Sequence, residues 1–326
     1  MNEFELIERF FARPPRSTSV ALGVGDDAAL LMPSAGCELA VSVDMLVEGR
    51  HFFAGADPER LGHKALAVNL SDMAAMGATP RWALLAGALP DNDAAWLGTF
   101  ARGFFALADA HGVDLVGGDT TRGPRNLCVT ILGEVPVGRA LRRDGARPGD
   151  DIYVSGALGD AALAVAVQGG RSSLAADALA AARRRLEMPQ PRNALGIALR
   201  GVATAAIDVS DGLTGDLGHI LARSEVGAVV DLGALPHSAA LAAKLAGAER
   251  ALGLDCLLAG GDDYELLFTA APAAAMRIEE IAKELALPLT RIGAITETRD
   301  LVVKDERGSA LATLPRAYDH FAVADR

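Results

Sequence analysis

Aspartates recur in this chain at the ends of apolar runs or beside paired glycines: GVGDDAAL (Asp26, Asp27), SVDML (Asp44), NLSDM (Asp72), GGDTT (Asp119), DVSDG (Asp208, Asp211) and GGDDYE (Asp262, Asp263). Aspartate, never glutamate, holds each of these positions. Short carboxylates at strand ends of an α/β fold point into the crevice where ligands bind, and several meeting there raise one another's pKa unless a cation neutralises them. Oxygen donors without accompanying His or Cys select Mg2+ or Ca2+ over zinc, and Mg2+ is typically shared between a few carboxylates and substrate phosphates. An Asp beside Gly is also a common turn residue, so no single GDD or GGD carries this reading. Asp72 stands apart. Leu61, Ala65, Val68, Asp72 and Ala75 share one helical row, so a core-facing stripe carries an acid that needs a partner. Metal ligation is the favoured account; a hydrogen-bonded cap or a salt bridge with Lys64 or an arginine is the structural alternative.

Phosphate is the natural complement of such acids, yet the chain has no GxxxxGK[ST] loop, and GVGDDA keeps two glycines of a GxGxxG pattern without the third. With lysine only at 64, 244, 283 and 304, phosphates would be held by metal, glycine-rich backbone amides and selected arginines. Arg142 and Arg143 are candidates, and a solvated basic connector accounts for their spacing equally well. There is no GxSxG elbow, and His51, His63, His111, His219, His237 and His320 lack HExxH or other ligand spacing. His51 follows Asp44 by seven residues in the loop VEGRHFF, a place where substrate could be contacted. No acid, base or nucleophile residue is expected to carry the chemistry.

The elements that must position these residues follow from length and pattern. With 326 residues the chain has room for two domains of about 100 to 200 residues each. Lys plus Arg is 31 against 42 for Asp plus Glu, a net charge of −11 that opposes general nucleic-acid binding. Its apolar stretches are too short to cross a bilayer, and MNEFELIERFF lacks the basic and apolar regions of a secretory signal. Cys37, Cys128 and Cys256 show no CxxC spacing and read as reduced thiols. A cytoplasmic protein is expected.

Periodicity and end signals predict helices over 3–12, 57–76 and 93–110 and strands over 38–45, 82–89, 113–116 and 127–135. Asp57-Pro58 opens the second helix and Gly112 stops the third. The basic, turn-rich stretch GRALRRDGARPGD reads as a connector. Beyond it come strands over 152–155, 205–209, 228–232, 265–269 and 292–295. Helices are expected over 161–168, 174–187, 193–199 and 272–285, and after Asp211. The expected division is an N-terminal α/β domain over 1–137, a linker over 138–150 and a C-terminal α+β domain over 151–326. NLSDMAAMG echoes DVSDGLTGD, and GGDTT echoes GGDDYE, matches too short to establish a duplication.

Taken in order, GVGDDAAL, SVDMLVEGRHF, KALAVNLSDMAAMGA, GGDTTRG, GRALRRDGARPGD, IDVSDGLTGDLGHI, GGDDYELLF and YDHF span nearly the whole chain, which resembles the thiamine-monophosphate kinase family of the aminoimidazole-ribonucleotide-synthetase-like superfamily. The resemblance implies an N-terminal domain whose strands pair across a homodimer and a C-terminal domain closing over nucleotide and substrate. It implies ATP and thiamine monophosphate as substrates, and ADP and thiamine diphosphate as products. Asp27, Ser42, Asp44, Asp72, Asp119, Asp208 and Asp211 would then hold several Mg2+ ions. Gly118, Asp119, Arg143 and Ser210 would touch ATP, while His51, Asp262 and Tyr318 would lie against thiamine monophosphate. The family commonly has Gly-Gly-Glu-Asp where this chain has Asp262, one methylene shorter. A reactive N-terminal Cys with Lys, or a terminal Cys, would mark sister families, and this chain has neither.

A phosphate monoester acceptor has a second pKa of about 6 and is largely dianionic at neutral pH, so no base need deprotonate it. The task is to bring two polyanions together for in-line transfer, with metals neutralising charge. Two other readings fit the same acids: an ATP-dependent superfamily member activating a carbonyl or amide oxygen, and a non-catalytic metal- or phosphate-binding protein.

Overall fold

Asn2 opens the first helix, α1 (Glu3–Phe10), through a capping box: its side chain accepts from the Glu5 N–H while the Glu5 carboxylate accepts from the Asn2 N–H. The computed structural model describes residues 2–316, which divide between two compact units, one up to Ala140 and one from Leu141 onward.

In the first unit a short ribbon, β1 (Val20–Leu22) with β2 (Leu30–Leu31), precedes β3 (Cys37–Val47). Asp57 then caps α2 (Pro58–Ala75) with Pro58 at its first position. After it come β4 (Thr79–Leu89), α3 (Ala94–His111), β5 (Asp114–Arg122) and β6 (Asn126–Pro136). The sheet runs β3-β6-β4-β5, antiparallel except for the parallel β4–β5 pair. Trp82, Phe100, Phe104 and Ile131 are fully buried in its core. The two long helices pack backbone to backbone: a Cβ on Gly62 would lie 2.1 Å from the Phe100 carbonyl oxygen, and one on Gly103 1.8 Å from that of Glu59. Leu39, Val41 and Val43 share one strand face with Met45 and face outward, leaving Ser42 and Asp44 on the covered side. Helix α2 is buried on nearly every side rather than along one stripe, and even Lys64 and Asn69 are enclosed.

The second unit is built on a six-stranded sheet of order β12-β9-β11-β7-β10-β8. Its elements are β7 (Asp151–Ser155), α4 (Asp160–Gln168), α5 (Ala176–Glu187), α6 (Asn193–Ala198), β8 (Ala205–Asp208), α7 (Leu213–Ser224), β9 (Gly227–Asp231), α8 (Ala239–Ala246), α9 (Arg250–Ala259), β10 (Leu266–Ala270), α10 (Ala275–Glu284), β11 (Leu289–Thr296) and β12 (Leu301–Lys304). Only β12–β9 is parallel. The basic stretch is seated from Leu141 onward against the edge strand β8: the Ala206 N–H donates to the Arg142 carbonyl, the Ala146 N–H to Ser224 Oγ, and Ala146 itself joins the core. The short sequence echoes fall in unlike elements. NLSD lies inside α2 and GGDTT inside β5, whereas DVSDG spans the end of β8 and the turn after it, and GGDDY is a loop. Among the described residues no helix is long and apolar enough to cross a membrane, and all three cysteines are free.

Candidate active site

Strand β3 and helix α2 bring two acid motifs of the first unit together. The Ser42 hydroxyl donates to Asp72 Oδ2 at 2.5 Å, and the Asp44 N–H donates to Asn69 Oδ1 at 3.2 Å. Asn69 is fully buried and its amide also donates to the Ala65 carbonyl, so this polar residue inside the helix fixes the strand against it. Asp72 thus takes a hydroxyl partner, while Lys64 donates to the His51 carbonyl at 3.3 Å.

Asp27, Gly118 and Asp119 line a cavity of about 630 Å³ whose other walls include Phe4, Trp96, Phe100 and Cys128. GGDTT lies within β5 because the parallel pair with β4 runs so close there that a Cβ on Gly118 would sit 1.9 Å from the Leu85 carbonyl oxygen. The Cys128 thiol is pushed up by burial and by the charge of Asp44, which ties that carboxylate to the same wall. His51 sits in a tight turn after β3, where its Nδ1 accepts from the Val47 N–H at 3.0 Å.

In the second unit two glycine-bearing loops are pressed against each other. The Asp262 N–H donates to the Ser210 carbonyl and the Tyr264 N–H to that of Val209, both at 2.8 Å. A Cβ on Gly261 would lie 2.4 Å from the Ser210 carbonyl oxygen. Asp262 and Tyr264 accept left-handed backbone, with φ of 70° and 50°, to make this fit. Of the acids in GGDDYE, Asp263 and Glu265 turn inward. Asp263 Oδ2 accepts from the Gly159 N–H at 2.8 Å, and burial drives its carboxyl well above the ordinary range. Glu265, 1% exposed, accepts from Arg185, Arg192 and the Ser155 hydroxyl. Asp262, half-buried, is the remaining acid of that loop.

Asp208 ends β8, with Ser210 and Asp211 in the turn beyond it. Asp216, absent from the sequence-derived site, organises this turn: its Oδ2 accepts from the Ser210 and Asp211 N–H groups, each at 3.0 Å. Burial, then the charge of Asp208, pushes its pKa up to about 7. The sequence carries a signal for it, since Leu213, Asp216, Leu217 and Ile220 put an acid on a buried helix face, the same pattern that singles out Asp72. Arg143 has an exposed side chain, and its carbonyl accepts from Ser224 Oγ at 2.8 Å. Tyr318 lies outside the described residues.

The AIR synthase related protein N-terminal domain matches residues 25–135, and its C-terminal domain matches residues 147–306. The thiamine-monophosphate kinase of Escherichia coli strain K12 is 46% identical over 323 residues, 98% of each chain. This chain belongs to the thiamine-monophosphate kinase branch of the AIR synthase related family. The crystal structure of the thiamine-monophosphate kinase from Stenotrophomonas maltophilia K279a superimposes with a TM-score of 0.86 and 49% identity, covering 95% of this chain and 98% of that one. The structure described as AaThiL complexed with AMPPCP and TMP gives a TM-score of 0.76 at 29% identity, with 89% of both chains covered.

Family membership raises the question of a divalent cation. The proposed donors are hydroxyl and carboxylate oxygens of Ser and Asp, and the Cys128 thiol beside them is kept protonated by burial and the charge of Asp44, so their chemistry fits Mg2+. Among the described residues no three His, Cys, Asp or Glu side chains are grouped closely enough to hold a metal unaided. Mg2+ usually keeps waters and substrate phosphates beside one or two carboxylates.

Proposed function

We propose that this chain transfers the γ-phosphoryl group of ATP to thiamine monophosphate, releasing ADP and thiamine diphosphate, as a step of thiamine diphosphate biosynthesis. The observation carrying this reading is the 46% identity to a thiamine-monophosphate kinase across 98% of the chain. The likeness to a relative's complex with AMPPCP and TMP supports the same pair of substrates.

In this reading Asp27, Ser42, Asp44, Asp72 and Asp119 of the first unit, and Asp208 and Asp211 of the second, would hold Mg2+. Bound there, the ions would neutralise charge on the two phosphorylated substrates and on the loose transition state. Gly118, whose missing side chain lets β5 close on β4 at Leu85, sets Asp119 beside the cavity, and that cavity takes the nucleoside. Arg143 and Ser210 contribute to ATP binding, with Asp216 holding the Ser210 turn in shape. His51 and Asp262 contact thiamine monophosphate. No side chain needs to remove a proton, because the acceptor phosphate is largely dianionic at neutral pH. Transfer is direct, so quench-flow with γ-labelled ATP should leave no label on the protein.

The outward apolar row of β3 supports a homodimer, since an edge strand presenting Leu39, Val41, Val43 and Met45 offers a second copy both backbone and apolar surface. We assign the protein to the cytoplasm, where ATP is available and its free cysteines stay reduced. Incubating the purified protein with ATP, Mg2+ and thiamine monophosphate should yield thiamine diphosphate on chromatography. Failure to form it under these conditions would defeat the reading.

A further inference from the structure

Arg125, in the turn joining β5 to β6, lies outside every acid-bearing motif, yet its guanidinium meets two parts of the first unit at once. Nη1 donates to Glu48 Oε1 at 2.9 Å, and Cζ lies 4.5 Å from the centroid of the Trp96 ring. The backbone repeats the link, with the Glu48 N–H donating to the Arg125 carbonyl at 3.2 Å. Arginine is suited to both contacts, because it donates in its plane while its face lies on an aromatic ring.

Each contact leads to a different part of the site. Glu48 begins the turn that holds His51: the Arg50 and His51 N–H groups both donate to the Val47 carbonyl, and the Gly49 N–H donates to that of Phe52. Trp96 lines the cavity shared by Asp27, Gly118 and Asp119, and is stacked on Phe100 at 5.2 Å. The side chain is 16% exposed, and its Nε is buried with no hydrogen-bond partner among the described residues. An unmet buried donor lowers stability, so stability alone is a poor account of this placement.

We propose that Arg125 is a positioning residue that ties the His51 turn to the wall of the nucleotide cavity, presenting that turn preset to thiamine monophosphate. The inference rests on the kinase reading for the roles of His51 and the cavity. Glu48 is the relay, and Trp96 is the fixed point against which the arginine is aligned.

Arg125→Met keeps an apolar chain over Trp96 while removing the charge and the donor. It should raise KM for thiamine monophosphate about 5-fold, the scale of a half-buried ion pair with a stacked guanidinium, leaving kcat and KM for ATP within about 2-fold. Glu48→Gln should shift the same KM, and the double variant should be no worse than the larger single effect. Arg125→Lys should recover part of the loss. Hydrogen exchange in ligand-free Arg125→Met should quicken over residues 47–53, with the melting temperature little changed. An unaltered KM for thiamine monophosphate, or effects that multiply in the double variant, would overturn the proposal. If the wild-type protein makes no thiamine diphosphate, the kinase reading fails instead. Exchange over residues 47–53 then decides this inference, faster exchange in Arg125→Met supporting the clamp and unchanged exchange overturning it.

Discussion

The Ser42 hydroxyl donates to Asp72 Oδ2 at 2.5 Å, joining an edge strand to the last turns of a helix thirty residues further along the chain. One carboxylate oxygen of Asp72 is therefore oriented by the fold itself. An asparagine could accept the same hydrogen bond through its amide oxygen but would carry no charge for a cation. Asp72→Asn should therefore lower turnover by roughly 100-fold while the melting temperature moves by only a few degrees. Steady-state assays at limiting and saturating Mg2+, beside thermal melts, check this. Near-normal turnover at limiting Mg2+ would remove Asp72 from the ligand set.

Asp216 gives the protein a pH dependence of unusual sign for an acid. Its pKa rises from 3.8 unfolded to about 7 folded, first through burial and then through Asp208. Between those values Asp216 holds its proton more firmly in the folded state than in the unfolded one, so its contribution to stability falls as pH rises from about 4 and is gone above about 7. Without Mg2+, the melting temperature of the wild-type protein should drop from pH 5 to pH 8 by more than that of Asp216→Asn. A drop of equal size in both proteins would place the dependence elsewhere.

How much of the fold and the site is legible in the sequence depends on how local each signal is. Asp57-Pro58, Asp93 and Gly112 mark helix ends through contacts with their own neighbours in sequence, and α2 and α3 begin and end within a residue or two of the expected positions. GGDTT belongs to a strand because of its parallel partner β4, and no pattern within five residues reports that. Helices α8 and α9 are runs of Ala and Leu with little polar contrast, while β12 pairs in parallel with β9, some seventy residues earlier. The acid motifs were legible as a set. Their internal division was not, because whether Asp263 and Glu265 turn inward or Asp262 stays half-buried depends on the left-handed backbone of that loop and on Arg185 and Arg192 far along the chain.

Glu265 supports its loop by neutralising two arginines in a buried setting. Glu265→Gln keeps the volume but takes from both guanidiniums the carboxylate they are hydrogen-bonded to, a loss of about 3–5 kcal/mol when one member of a buried pair is removed. Urea denaturation should show a lower midpoint with an unchanged slope. Because the loop also carries Asp262, KM for thiamine monophosphate should rise in the same variant under conditions where it remains folded. A midpoint equal to that of the wild-type protein would mean the cluster contributes nothing net.

Gly118 is required by proximity rather than by a turn. An alanine Cβ would lie 1.9 Å from the Leu85 carbonyl oxygen, and that oxygen belongs to strand backbone that cannot swing aside like a flexible side chain. Gly118→Ala should cost about 2–4 kcal/mol through forced separation of β4 and β5. By displacing Asp119 it should also raise KM for ATP more than KM for thiamine monophosphate. Equal rises in the two constants would argue that the strand pair serves the fold without a special relation to nucleotide.

The outward row on β3 bears on assembly. Val43 is 57% exposed and sits between Ser42 and Asp44, whose side chains point to the opposite, covered face. A charge at Val43 therefore enters the apolar row without entering the face that carries Ser42 and Asp44, and within one subunit it costs little because the site is already open to water. Inside a subunit interface the same carboxylate would be buried against its own symmetry mate, two like charges without a partner. Val43→Asp should consequently sediment as a monomer at concentrations where the wild-type protein sediments as a dimer, with the melting temperature of the monomer close to that of a dilute wild-type sample. A variant that stays dimeric would show that β3 is not the surface through which two copies meet.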